Sequence, residues 1–484
     1  MRMIWKEKGK AGVLGPTSLQ RYNRLFSLFA AFYYLIYLLY IIEYDYTGSI
    51  YQRDLFRFVI VLMVISYYVV YGFRGGLEIH LLTAYCLWAA VTRVAHGELL
   101  QNWEFLVELM LMIVLFAPGI MLQGEKRDRY YRCLAWFTVI FLSLLGLVCI
   151  YTAATRGWII NPRTGDGIGY PSPTTWRIKF LRQHWNKTAG LYLISFCLSL
   201  TLFPRSKKTL TKAAAILTAI IAFFTIALTI SRNAQTCAGA ALGLLVGMSV
   251  VNHYGIEWKK LRKVTVLIVI SVVVLLGAYR LYEPIRKGLW QIHDGIKAAD
   301  AANEDQVKKT ARKNRSFELV FLSEEVAEPE EEIESYVEDT RDYLDSGRKE
   351  IYWSALKSLQ MDPRRLLIGS KIDEVMAISH SLIEEQAPNF HNCFLQVVNE
   401  FGLPALVIVV AFFLMMLRNS IAVAFQGEQS FTLQDQVLIL PVIALMGYNL
   451  LEAKSFVETL FLSSFFFFAC GMLTGVYHEK TGKE

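Results

Sequence analysis

Two polar stretches of the sequence carry the residues best suited to acid–base and anion-binding chemistry. The first begins with Arg348, which opens an amphipathic run that extends to Gln360. Tyr352, Ala355 and Leu359 recur on the helical face of Arg348, so the spacing predicts a packed helix that holds the guanidinium at one end. A guanidinium held in this way can bind phosphate oxygens at two points. The first stretch therefore offers an anion-binding group.

The second stretch begins at Pro388, after the helix stop predicted at Asp362–Pro363. Asn389 is expected to cap a new helix that carries His391 in its first turn. The positive end of a helix dipole disfavours imidazolium, so this ring is expected to stay neutral and to accept a proton. The helix is expected to continue through Glu400–Pro404 into a hydrophobic span.

These residues carry a resemblance to a known family. Arg348 with Trp353, the pair His391–Asn392 and the run Glu400–Gly402 resemble the core motifs of the O-antigen ligase and polymerase superfamily. Its members are polytopic membrane enzymes that move glycans from a polyprenyl diphosphate carrier to an acceptor outside the cytoplasmic membrane. The resemblance implies an undecaprenyl-diphosphate-linked glycan donor, a glycan or lipid acceptor, inversion at the anomeric carbon, and no metal or other cofactor.

The candidate site residues follow from their chemistry together with this resemblance. His391 is the candidate general base for the acceptor hydroxyl, because it is the base best placed outside the membrane. Arg232 and Arg348 are the candidate diphosphate ligands, since the leaving diphosphate gains negative charge. The supporting candidates are Asn186, Asn392 and Glu400. An asparagine at the membrane entry of the Asn186 span resembles a family pattern.

Arg232 lies between two apolar runs, where the chain is expected to turn. Ser231 is a natural N-cap, so Arg232 is expected at a helix N-terminus on the outer face. Free amides together with a guanidinium form an anion site, although the side chain could equally reach only to lipid headgroups. The Ser-Arg pair followed by a span that contains Gly239, Gly243 and Gly247 again resembles the family.

The composition predicts a membrane protein. Of the 484 residues, 54% are hydrophobic and 13% are aromatic, and the mean hydropathy is +0.37. Long apolar runs recur from end to end, which indicates several membrane-spanning helices. The net charge of +7 is spread over the ends of loops, so it indicates topology and not binding to nucleic acid.

The apolar runs predict an all-α polytopic protein with about twelve transmembrane helices and one large extracytoplasmic loop domain between helices 9 and 10. The predicted spans are 25–42, 55–72, 77–95, 105–122, 133–153, 188–203, 213–230, 237–252, 264–282, 403–417, 434–452 and 457–476. The predicted divisions are a cytoplasmic tail at 1–24, helices 1–9 within 25–282, the loop domain at 283–402, helices 10–12 within 403–476, and a cytoplasmic tail at 477–484.

Basic residues predict which side of the membrane each loop faces. The loops at 123–129, 204–208 and 258–263 are rich in lysine and arginine, which favours the cytoplasmic side. The loop at 154–187 is also basic, although the count of spans places it outside. It either meets a diphosphate-linked lipid or is solvated among anionic headgroups. The role of the acidic segment at 324–345 is open, and its composition is typical of a solvated surface.

Localisation and function follow from this arrangement. The protein is expected in the cytoplasmic membrane, where it contacts membrane lipids, with its active site on the extracytoplasmic face. A transporter of polysaccharide or lipid is an alternative, but ionisable residues near the midplane of the membrane are expected for it, and the charges here cluster at span ends. A receptor or scaffold has no need of two arginines and a histidine on one surface. Ligase and polymerase share these residues, so the sequence leaves both open.

Overall fold

A computed structural model gives the architecture of the chain. It describes residues 15–39, 50–72, 76–99, 103–155, 158–160, 167–169, 179–180, 185–254, 260–313, 348–361, 363–371, 374, 390–425, 431–452 and 461–482. For some positions in these ranges, Arg348 among them, only the backbone is described.

Helices dominate the described residues. They are α1 (Pro16–Leu39), α2 (Ile50–Tyr71), α3 (Leu77–Ala95), α4 (Trp103–Met121), α5 (Gly124–Thr155), α6 (Trp185–Arg205), α7 (Thr209–Thr229), α8 (Arg232–Tyr254), α9 (Lys260–Lys313), α10 (Arg348–Met361), α11 (Pro363–Ile368), α12 (Cys393–Phe425), α13 (Leu433–Gln436), α14 (Ile439–Leu451) and α15 (Phe461–Thr481). Within the described ranges, eight helical segments are long and apolar enough to cross a membrane. The architecture is that of a multi-pass helical membrane protein.

Each predicted span coincides with a helix of the fold. The helices concerned are α1 to α9, α12, α14 and α15. The eight segments that meet the length and hydropathy of a span are those of α4 to α9, α12, and α13 with α14. The apolar part of α2, Leu55–Tyr71, is shorter. Twelve crossings therefore remain a prediction.

A small sheet lies in the loop at 154–187. β1 (Trp158–Ile160) pairs antiparallel with β2 (Gly167–Gly169), and β2 pairs antiparallel with β3 (Lys179–Phe180). Aromatic and β-branched residues favour strands, and β1 consists of tryptophan and two isoleucines. The chain is predominantly helical as predicted, and this sheet is an addition that the apolar periodicity did not indicate.

Several predicted divisions do not coincide with helix ends. α9 passes the expected end of its span at residue 282, includes Pro284 and continues to Lys313. The segment after Pro284 is rich in alanine and lysine, which are good helix formers, so the helix continues past 283, and the start of a loop domain there stays a prediction. α1 begins at Pro16, ahead of the predicted boundary at 24, and α15 continues past 476 to Thr481.

Polar contacts between the helices gather at the two ends of the bundle. At one end the contacts join Arg93 to Glu400, His391 to Glu452, and Asn186 to Glu452. At the other end they join Arg205 to Asp128, Arg127 to Glu479, and His478 to Glu78. The first set lies at span ends predicted to face outward and the second at span ends predicted to face inward. These contacts place the ends of α3 and α6 on opposite sides of the bundle, which agrees with the predicted directions of these two helices, while the full topology and the membrane side of each end stay predictions.

A kink divides α12 at Gly402, whose φ is 79° and ψ is −179°. A Cβ at Gly402 would lie 2.2 Å from the carbonyl oxygen of Leu367, and one at Gly369 would lie 2.3 Å from the Glu400 backbone. The indole of Trp88 donates to the carbonyl of Phe401 at 2.8 Å, which satisfies an acceptor beside the break in the helix. The sequence predicts a continuous helix here, and the positive φ and the close approach of α11 explain the break.

Gly402→Ala should destabilise the protein strongly, because alanine is disfavoured at positive φ and its Cβ would overlap Leu367. The backbone strain alone should cost about 1–3 kcal/mol. Thermal unfolding in detergent measures the effect. Gly277→Ala is the matched control, because Gly277 lies in α9 with no atom near its Cβ position, and it should be neutral or slightly stabilising. Equal unfolding temperatures for the two variants would contradict the interlocked kink.

Candidate active site

The ends of four helices meet at the buried carboxylate of Glu452. Glu452 directly follows α14, and its side chain is 1% exposed. Its Oε2 lies 3.2 Å from Nδ1 of His391. Its Oε1 accepts hydrogen bonds from Nδ2 of Asn186 at 2.9 Å and from Nδ2 of Asn233 at 3.4 Å. We name these four residues the Glu452 cluster.

The helix ends around Glu452 explain why its partners converge. Asn186 lies in the first turn of α6, Asn233 lies in the first turn of α8, and His391 lies just before α12. The hydroxyl of Tyr448, on α14, donates to the backbone carbonyl of Asn186 and so joins α14 to the start of α6. A carboxylate without solvent is unfavourable unless several donors meet it. The amides of Asn186 and Asn233 supply two such donors.

The start of α12 differs from the prediction. The helix begins at Cys393, and Oδ1 of Asn392 accepts from the backbone amides of Phe394 at 2.9 Å and Leu395 at 3.0 Å. Asn392 is therefore the cap, whereas Asn389, the predicted cap, lies outside the described residues. His391 precedes the helix with a left-handed φ of 50°, so its placement in the first helical turn is wrong.

This position changes the physical reason for a proton-accepting ring. The expectation for His391 rested on a place inside the first turn, which the residue does not occupy. The contact with Glu452 supplies another reason, because a carboxylate at Nδ1 favours the tautomer that carries hydrogen there and leaves Nε2 to accept a proton. The His391 side chain is 21% exposed, so the ring is not sealed inside the bundle.

Asn392 also joins two elements of the site. Its Nδ2 donates to the backbone carbonyl of Leu450, in the last turn of α14, at 2.9 Å. The same side chain therefore caps α12 and binds the helix end that precedes Glu452. Its predicted supporting role has a structural basis in these two contacts.

The two arginines predicted to bind diphosphate lie at helix starts. Arg232 is exposed and is the first residue of α8, directly before Asn233 of the Glu452 cluster. α7 ends at Ile230 in a left-handed conformation, so the chain turns within two residues, as predicted. Arg348 is the first residue of α10, but its side chain lies outside the described part of the chain. Anion binding by either arginine stays a prediction.

α10 contacts the loop that carries His391. The hydroxyl of Tyr352 donates to the backbone carbonyl of His391 at 3.2 Å, and Ile351 and Ala355 pack against Phe390. Two residues of the stripe predicted for this helix, Tyr352 and Ala355, therefore pack beside Phe390, the residue before the candidate base. Because Tyr352 follows Arg348 by one helical turn, the start of α10 lies close to this contact.

Glu400 belongs to a second buried group, which the sequence analysis did not indicate. Nη1 of Arg93 lies 3.1 Å from Oε2 of Glu98, and Nη2 lies 3.4 Å from Oε2 of Glu400. The guanidinium also stands over the ring of Phe401, 4.9 Å from its centroid. Oε1 of Glu400 accepts from Nε2 of Gln396 at 2.6 Å. We name Arg93, Glu98, Gln396 and Glu400 the Arg93 cluster.

Sequence reasoning missed Glu452, Asn233 and Arg93. Arg93 lies near the end of the predicted span 77–95, and the structure shows its side chain fully buried and paired. Glu452 ends a predicted span, where a charged residue is ordinary, so its residue type carried no distinct signal. Asn233 directly follows Arg232 and carried no signal of its own. The pairing of Glu452 with His391 needs the fold, because 61 positions separate the two residues.

Glu452→Ala should destabilise the protein, because it removes the acceptor for Asn186, Asn233 and His391 together. Leaving buried donors unpaired costs about 1–3 kcal/mol. The measurement is unfolding in detergent, compared with Glu283→Ala, whose carboxylate is exposed and pairs with Lys287 on the surface of α9. The control should leave stability unchanged. Equal stability of both variants would mean that the Glu452 cluster does not hold the helix ends together.

No protein-family model matches the sequence, and no curated protein matches it well enough to count as a relative. A proposal for the function therefore rests on the Glu452 cluster, on the helix ends around it and on the motifs of the sequence.

Proposed function

We propose that the protein is a membrane glycosyltransferase that moves a glycan from undecaprenyl diphosphate to an acceptor hydroxyl. The observation that carries the proposal is the contact between His391 and the buried Glu452, at the end of the bundle where Arg232 begins α8. A histidine oriented by a carboxylate is suited to take a proton from a hydroxyl. The resemblance of the motifs at Arg348, His391–Asn392 and Glu400–Gly402 supplies the class of donor.

The proposed reaction is a single displacement. Nε2 of His391 takes the proton of the acceptor hydroxyl while its oxygen forms a bond to the anomeric carbon of the donor glycan. The bond between that carbon and the diphosphate oxygen breaks, and the diphosphate leaves with the electron pair. The carbon is attacked on the face opposite the leaving group, so its configuration inverts. Glu452 holds Nδ1–H and balances the positive charge that develops on the ring.

Arg232 and Arg348 are proposed to bind the leaving diphosphate. Both are the first residues of helices, whose first backbone amides have no carbonyl partner within the helix and can bind an anion. Positive groups at this position stabilise the transition state more than the ground state, because negative charge grows on the diphosphate as the bond breaks. Asn186 and Asn392 support the site indirectly, through Glu452 and through the start of α12.

We further propose twelve membrane crossings, with the Glu452 cluster on the extracytoplasmic face of the cytoplasmic membrane. The division of the polar contacts between the two ends of the bundle supports this topology. The end that carries Arg205 and Arg127 adjoins the short loops at 123–129, 204–208 and 258–263, which are rich in lysine and arginine. The end that carries Glu452 adjoins the basic loop at 154–187 and the long polar segment after α9.

Cysteine labelling tests this topology at two exposed lysines on opposite ends. Lys357→Cys, on α10, should react with a membrane-impermeant maleimide in cells whose cytoplasmic membrane is intact. Lys207→Cys, between α6 and α7, should react only after that membrane is permeabilised. The exposed Cys133 is replaced by serine to lower the background. The reverse labelling pattern would reject both the topology and the proposed reaction.

His391→Ala should lower the rate of glycan transfer by a factor of about 100 to 10,000, the usual contribution of a general base. The assay uses purified protein in detergent with a lipid-linked donor, and mass spectrometry measures the transferred glycan. The variant should still bind the donor, because the proposed diphosphate ligands are unchanged. His253→Ala is the control, since His253 is exposed near the opposite end of α8.

Two results would overturn this proposal. Near-normal transfer by His391→Ala would remove the histidine from the reaction. Loss of wild-type transfer in a chelator, restored by a divalent cation, would replace the proposed displacement with a metal-assisted one.

A further inference from the structure

His391 is held in a left-handed backbone conformation, which is uncommon for a residue other than glycine. Its φ of 50° is left-handed, where side chains with a Cβ are rare. Such a conformation persists only when the surrounding contacts fix it. Rotation of the backbone to an ordinary φ would swing the ring away from Oε2 of Glu452, 3.2 Å from Nδ1. The contacts that fix this residue therefore decide whether the base is in place.

The first such contact is made by the backbone N–H of Phe390, the residue that precedes His391. The backbone N–H of Phe390 donates to Oε1 of Gln396 at 2.9 Å. Phe390 is fully buried and Gln396 is 3% exposed, so water does not compete for this amide. The bond spans the left-handed residue, because Phe390 precedes it and Gln396 lies in the first turns of α12.

The Arg93 cluster fixes which way the Gln396 amide points. Nε2 of Gln396 donates to Oε1 of Glu400 at 2.6 Å, which leaves Oε1 of Gln396 to accept from Phe390. Oε2 of Glu400 meets Arg93, whose side chain is 0% exposed. A chain of charge-assisted contacts thus runs from α3 to the residue before the base.

The second contact acts on His391 itself. The hydroxyl of Tyr352 donates to the backbone carbonyl of His391 at 3.2 Å. Gln396 and Tyr352 thus bind the backbone on the two sides of the left-handed Cα. Neither contact reaches the imidazole, so neither residue is placed to take part in the reaction directly.

We propose that Gln396 and Tyr352 are positioning residues for His391, with Gln396 oriented by Glu400 and Arg93. Their effect on catalysis rests on the proposed function, whereas their effect on the orientation of the ring does not. The Arg93 cluster therefore affects the orientation of His391 as well as the stability of the fold, because its buried ion pair orients Gln396.

Gln396→Met and Tyr352→Phe test the proposal with a readout that does not depend on turnover. Each variant removes one backbone contact and keeps the shape of the side chain. Modification of His391 by diethyl pyrocarbonate, followed by peptide mass spectrometry, should become several-fold faster in both variants, because the released ring leaves Glu452. Gln436→Met is the matched control, since Gln436 is an equally buried glutamine at the opposite end of the bundle. Its rate of His391 modification should equal that of the wild type.

Glycan transfer supplies the second readout. In Gln396→Met, kcat should fall by a factor of about 10 to 100 with little change in KM for the donor, as is usual when a group that orients a reacting side chain is lost. Wild-type modification rates in both variants would overturn the proposal. If Gln396→Met does not fold, Tyr352→Phe carries the test, because it removes only a hydroxyl from a half-buried side chain.

The same data separate this proposal from the proposed function. Faster modification of His391 together with normal transfer by His391→Ala would uphold the positioning contacts and reject the base. If the rate of His391 modification is unchanged in Gln396→Met and Tyr352→Phe while His391→Ala has no transfer activity, His391 is upheld as the base, and Gln396 and Tyr352 are rejected as its positioning residues.

Discussion

The burial of Glu452 is the constraint on which the arrangement of helix ends depends. A carboxylate with 1% exposure must be met by donors from the protein, and the fold supplies them from the starts of α6 and α8 and from the residues before α12. No two of these elements adjoin in sequence, so the carboxylate acts as a common point at which they converge. The contacts with the buried carboxylate also orient the side chains of Asn186, Asn233 and His391.

The Arg93 cluster is a second group in which a buried charge is met by partners from other parts of the chain. Arg93 is fully buried, and it contacts Glu98 shortly after α3 and Glu400 just before the kink of α12. Breaking a buried ion pair typically costs about 3–5 kcal/mol, because a charge is left without a partner. The two clusters therefore constrain the first turns of α12 from both sides, with Gln396 facing Glu400 and His391 facing Glu452.

The sequence predicts most of the helices and less of the site. Apolar runs locate the spans because burial in hydrocarbon depends on local composition, and Arg232 is correctly expected at a helix start. The cap of α12 is missed because Asn389 and Asn392 are equally good caps by residue type, and the bonds from the amides of Phe394 and Leu395 to Asn392 are visible only in the fold. Glu452 is missed because its partners lie on three distant segments. The end of α9 is missed because hydropathy marks where a span ends but not where a helix ends.

The kink at Gly402 has a consequence for how the protein responds to its bilayer. The nine residues of α12 before the kink are held by neighbours outside the helix, including the bond from the Ser370 amide to the Asn399 carbonyl. The part of α12 after Gly402 is the long apolar span. A change in bilayer thickness makes a spanning helix tilt. We expect the kink to let this part tilt while the contacts before the kink keep His391 beside Glu452.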